Sequence, residues 1–146
     1  KSQKDEKPFI NNMITVGAST NDSEALKASF SNFNKKMVDV FSFFYKVYST
    51  VIDGKYEYLQ GTSMASPVVA GAAAVLMAYM PNLTPAQVIQ SLKNSVNKST
   101  ANDFGKYSEA SGVIDVYKAA QYAYTHFNTI KTVKPTVKTK KVVKKK

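Results

Sequence analysis

Ser63 is the residue of this sequence whose setting invites chemistry. It lies in GTSMASPVVAG, residues 61–71, after Gly61 and Thr62 and ahead of a run of small and apolar residues. A hydroxyl at the mouth of a helix does one of two things. It caps the helix by accepting a hydrogen bond from a first-turn amide, or it acts as a nucleophile beside amides able to hold a developing oxyanion. Gly61 suits the second role, because a residue without Cβ permits an unusual backbone conformation or a close substrate approach. Thr62 is able to cap and so leave Ser63 free. The residues alone keep both readings open.

Other chemical candidates are few. His126 is the single His, and the order Ser63, Asp115, His126 imitates the nucleophile, acid, base order of the α/β-hydrolases. GTSMA also comes within one residue of a Gly-x-Ser-x-Gly elbow, with Ala65 in place of the final Gly. Against this, His126 lies among aromatic residues near the end of a helical pattern, where a ring-stacked or solvent-facing His is the simpler reading. Asp39 and Asp53 read as strand-edge and turn residues. Cys is absent, which excludes a thiol nucleophile, a disulfide framework and a Cys-based zinc site. One His leaves too few donors for a transition-metal site; no metal ligand is assigned.

The elements that must position Ser63 read as mixed α and β. Met13–Val16 is a β-rich run ended by Gly17, Met37–Phe41 and Lys46–Val51 are two more strands, and Asn32 and Asn34 supply turn chemistry before the first of these. Asp53-Gly54 marks a hairpin whose second strand, Lys55–Gln60, delivers the chain to Gly61. From Ser63 to Met80 the pattern is helical and apolar on every face, which predicts a helix enclosed by the fold. Pro67 falls near enough to its start to be tolerated. A second helix opens with Thr84 as N-cap, Pro85 at the first position and Gln87 completing a capping box. After a polar loop over residues 97–111, a short strand leads into a third helix capped by Asp115.

Length and charge bound the rest. The chain has 146 residues and is 44% hydrophobic, enough for one domain with a modest core. It starts with Lys1 and shows no signal pattern, so it reads as processed or truncated. The Ser63–Met80 stretch only reaches the lower length limit of a membrane span, about 17 residues; it reads as a core helix, and no membrane span is expected. The net charge of +10 is uneven: residues 131–146 hold 8 of the 20 basic residues and no acid. All bases are Lys. Without Arg the chain lacks the planar fork that reads guanine or grips phosphate, so no specific nucleic-acid partner is expected. Residues 128–146 read as a Lys-rich solvated tail, with docking to an anionic surface as the sharper alternative. The organisation is then an N-terminal edge over 1–11, a folded part over 12–127, and the tail.

A resemblance adds to this. GTSMASPVVAGAAAVL resembles the nucleophile segment of the subtilisin-like serine peptidases, the subtilases, through Gly61, Thr62, Ser63, Ala65, Pro67, Ala70 and Gly71. MITVGAST, ASFSNFNKKMVDVF and VYSTVIDGKYEYLQ are similar to family segments that precede the nucleophile, in the same order. LTPAQVIQSLKNSV and SGVIDVYKAAQYA are similar to its closing elements.

The resemblance implies the C-terminal half of a catalytic domain: an α/β fold of three layers, α/β/α, with a largely parallel sheet, here partial. It implies a serine endopeptidase in which Ser63 is acylated, its own amide is one oxyanion donor, Thr62 and Gly61 shape the turn, and Pro67 directs the helix. The family's Asp and His motifs, and its Asn oxyanion donor in a Gly-Asn context, have no match in this sequence. The expected partners are therefore a polypeptide substrate and the missing N-terminal half, and this chain alone is expected to be inactive. No cofactor is required, although structural calcium is implied for the full domain. A secreted or cell-envelope location follows from the family alone. One departure stands out: where the family has Ala-Pro-Gly, this chain has SFFYK, Ser42–Lys46. That keeps a second reading in view, a non-catalytic or pseudoenzyme module with a basic interaction tail.

Overall fold

A computed structural model of the chain describes residues 12–20, 27–43, 46–98 and 105–127. The edge segment 1–11, the Lys-rich tail 128–146, and Phe44 and Tyr45 of the departure lie outside the described residues. In chain order the elements are strands β1 (Val16–Ser19), β2 (Val40–Phe43) and β3 (Val47–Thr50), a 3₁₀ turn (Ile52–Gly54), and strand β4 (Tyr56–Leu59). Helices α1 (Thr62–Tyr79) and α2 (Pro85–Asn94), strands β5 (Asn97–Lys98) and β6 (Gly112–Val113), and helix α3 (Val116–Phe127) follow.

One sheet has the order β1-β2-β6-β5. Its β1, β2 and β6 run parallel, and β5 joins the edge antiparallel. Strands β3 and β4 pair separately as a hairpin. Helices α1, α2 and α3 share one core with Val40 and Ile114, built on Val69, Ala72, Leu76, Val88, Leu92, Ala119 and Ala123. The opposite sheet face packs Val38, Phe41 and Val113 beneath Tyr107. This is the α/β class with a largely parallel sheet, present in part.

The first two strands begin three residues later than the sequence pattern suggested. Gly17 does not end β1; it lies inside it, directly across from Phe41. A Cβ on Gly17 would come within 2.4 Å of the Phe41 ring, so the glycine is a seat for that ring and not a terminator. Met37 belongs to the turn before β2, where its amide donates to the carbonyl and the Oδ1 of Asn34. The loop read over 97–111 contains the short strand β5.

The helix predictions hold more closely. Thr84 and Gln87 form the capping box in both directions, with Gln87 N–H donating to Thr84 Oγ1 at 3.3 Å and Thr84 N–H to Gln87 Oε1 at 2.8 Å. Asp115 caps α3, its Oδ1 accepting from Lys118 N–H at 2.9 Å. Helix α1, however, is not enclosed. Ala65, Val69, Ala72 and Leu76 form a buried stripe, while Val68, Val75, Met77 and Tyr79 are exposed. Periodicity gave no stripe because both faces are apolar, yet among the described residues only one face has a sheet to pack on. By length and composition alone this helix would also suffice to cross a membrane, with 22% of it buried here.

Candidate active site

The site is built at one end of α1. Ala65, in the first turn, packs with Ala18 near the end of β1, whereas Val69, Ala72 and Leu76 pack further back with Val40, Ile14 and Val16. Helix α1 therefore runs antiparallel to β1 and β2, and its N-terminus lies at the carboxyl edge of the parallel strands. That edge is where open α/β sheets place their ligands.

Ser63 is the second residue of α1 and its side chain is exposed. The cap is Gly61, which has no side chain to offer, and no side-chain cap bond closes this helix. Neither Thr62 nor Ser63 is used as a cap. Among the described residues the Ser63 hydroxyl makes no hydrogen bond, so it is free for other work. Gly61 sits at φ 143°, ψ 162°, a conformation closed to residues with a Cβ. An added Cβ would meet nothing nearer than Ser63 Oγ at 3.7 Å, so backbone conformation and not crowding selects glycine here. The turn is tight: Met64 N–H donates to Gly61 O at 2.9 Å.

Pro67 is the sixth residue of α1, deeper than the sequence reading placed it. At that depth its missing N–H matters, because the residue four before it is Ser63.

The alternative Ser63, Asp115, His126 set does not assemble. Asp115 and His126 stand at opposite ends of α3, eleven residues apart, which at 1.5 Å per residue separates them by about 16 Å. Each is also engaged locally. Asp115 caps the helix, and His126 Nδ1 lies 2.9 Å from Tyr122 O with its ring stacked on Tyr122.

Two features escaped the sequence reading. Asp39 is no exposed strand-edge residue but is 1% accessible. Its Oδ2 accepts from Thr15 N–H at 2.7 Å, and its Oδ1 accepts from Lys93 Nζ at 3.1 Å. Lys93 also reaches Glu109 at 2.7 Å, tying α2 to the strand layer. Burial alone would lower the Lys93 pKa, but hydrogen bonds to Glu109 and Asp39 outweigh it and hold the ammonium above its ordinary value. The signal was there to read: an acid between Val38 and Val40 in an apolar run must be buried with a partner. The second feature is Ser42, fully buried, its hydroxyl without a hydrogen-bond partner among the described residues. Ser42 lies across from Ala18, at the level of the first turn of α1. Among the described residues no group of three His, Asp or Glu converges as a metal site, so calcium enters no step derived from these residues.

The model of the Subtilase family matches residues 4–116. The chain belongs to the subtilase family. This subtilase chain is 38% identical over 109 residues to subtilisin DY of Bacillus licheniformis, covering 75% of this chain and 37% of that protein. It is 42% identical over 86 residues to the cuticle-degrading protease of Metarhizium anisopliae, covering 58% of this chain and 21% of that one. Among solved structures it is similar to a subtilase cytotoxin SubAB chain, with a TM-score of 0.66 at 20% identity over 80% of this chain and 39% of the other. The subtilase chain thus spans well under half the length of the relatives it matches. The family is one of serine peptidases acting on polypeptides.

Proposed function

We propose that this chain supplies the nucleophile half of a subtilisin-like serine endopeptidase, with Ser63 as the acylated residue. The observation that carries the reading is the state of the Ser63 hydroxyl. It is exposed, uncapped and at the positive end of an 18-residue helix, next to a glycine held in a conformation only glycine adopts readily. In the complete domain an imidazole from another segment takes the Ser63 proton as Oγ attacks the scissile carbonyl, and then protonates the leaving amine. The Ser63 N–H, a first-turn amide, donates to the oxyanion. Thr62 and Gly61 hold the turn, and Pro67 bends the helix behind it.

The exposed apolar face of α1 supports the accompanying proposal that the rest of the domain packs there. The 146-residue chain alone is then inactive, since an alcohol nucleophile without a base is weak. The reaction needs no cofactor, and any structural calcium is held by other parts of the domain. A secreted or cell-envelope location is the one the family supports. The test is casein hydrolysis by the full protein: Ser63→Ala should abolish it, and full activity in that variant would contradict the assignment.

A further inference from the structure

Tyr48, Tyr56 and Tyr58 share one face of the β3–β4 hairpin. Tyr48 stands directly across from Tyr58, and Tyr56 lies two residues from Tyr58 on the same strand. The ring centroids of Tyr48 and Tyr58 are 4.9 Å apart, and those of Tyr48 and Tyr56 are 5.6 Å apart. The rings touch one another, yet they remain 60%, 58% and 69% exposed in chain order. Thr50, across from Tyr56, completes a face that carries no charge; Glu57 alternates onto the other side. The hairpin packs chiefly within itself, and two strands alone are marginally stable in water.

The face also has a direction. Strand β4 runs without a break into Gly61 and Ser63, and Tyr58 precedes Ser63 by five residues. Even a fully extended chain would keep them within about 18 Å. An extended polypeptide held with a bond at Ser63 is long enough to reach these rings within about six residues.

We propose that Tyr48, Tyr56 and Tyr58 form a platform for an extended, uncharged stretch of the substrate polypeptide, continuous with the site at Ser63. The proposal rests on the Ser63 reading above and names the substrate class it favours: unfolded chains with apolar and aromatic residues to one side of the scissile bond. Tyr rings offer apolar area with a polar tip, a surface that tolerates many sequences. With no charge on the face, binding there is insensitive to salt.

The test measures binding of casein, an unfolded polypeptide, to the full protein carrying Ser63→Ala so that nothing is cut. Replacing Tyr48, Tyr56 and Tyr58 together by Ser should weaken binding at least tenfold, the change that about 1.4 kcal/mol of lost contact produces. The triple Phe replacement should retain it, and Tyr117→Ser, an exposed tyrosine on α3, should leave it unchanged. Melting curves verify that each variant is folded. Undiminished affinity in the Ser triple, or an equal loss in Tyr117→Ser, overturns the proposal. So does loss of self-association with casein binding intact, which would assign the face to a second copy. Reaction of the unmutated protein with a fluorophosphonate reports on Ser63 separately, so the two readings fail independently.

Discussion

Pro67 lies four residues after Ser63 within α1, so the Ser63 carbonyl has no amide to accept from at the helical i+4 position. The turn that carries the hydroxyl is thereby released from the regular ladder one residue after it begins. A proline ring at this depth also crowds the carbonyl of the residue four before it, here Ser63.

Pro67→Ala should restore the missing bond. We expect a gain in stability on the order of 1–3 kcal/mol, the usual cost of an interior proline, read as a higher melting temperature. We expect slower acylation of Ser63 in the same variant, because the turn is drawn back into regular helix. Unchanged acylation in the Ala variant would show that the proline has no part in shaping the site, and faster acylation would contradict the direction argued here.

Gly17→Ala should destabilise the chain by about 1–3 kcal/mol, the range for overpacking a filled core. The added methyl meets the Phe41 ring at 2.4 Å, and Phe41 is fully buried with nowhere to swing. Phe41→Leu should relieve part of this, giving a favourable coupling in a double-mutant cycle. Additive losses would contradict the contact.

How much of this was legible in the sequence differs by element. The helices were readable from local chemistry: Thr84, Pro85 and Gln87 announce a helix start wherever they stand, and Asp115 does the same. Strand β1 is displaced because the position of Gly17 is set by the Phe41 ring 24 residues away and not by its own preference, and β2 because Asn34 holds Met37 in the turn before it. Helix α1 was misjudged for the opposite reason: its sequence describes burial on every face, and the described residues supply one. The placement of Ser63 at the mouth of a helix and of Gly61 in a turn that favours glycine was legible. The failure of the Asp115 and His126 pair was also available, since a helix capped by one and ended by the other separates them by its own length. The Tyr48, Tyr56 and Tyr58 face was hidden because hairpin alternation was read for pairing and not for what each face presents.

Ser42→Ala should be neutral or stabilising, by up to about 1–3 kcal/mol, the usual penalty of a buried polar group left unpaired. Among the described residues its buried Oγ has no hydrogen-bond partner. A clear loss of stability in the full protein would show that another segment of the domain bonds this hydroxyl.

Lys93 should give an alkaline limit to stability. Its pKa is raised in the folded chain above the ordinary value of 10.5. The native state thus binds this proton more tightly than the unfolded state does. The contribution is complete below about pH 10 and is lost as pH rises through the folded value. Lys93→Met should remove that alkaline decline. At neutral pH it should cost on the order of 3 kcal/mol by leaving Asp39 buried without its cation. Urea melts across pH 7 to 11 measure both, and an unaltered profile in the variant would assign the decline to other groups.

The most direct measurement of the central claim is the site of covalent reaction with a fluorophosphonate, mapped by mass spectrometry after digestion. In the full protein the adduct should fall on Ser63, should vanish in Ser63→Ala, and should persist in His126→Ala. The isolated 146-residue chain should remain unlabelled under the same conditions. An adduct on any other serine, or labelling that survives Ser63→Ala, would contradict the account.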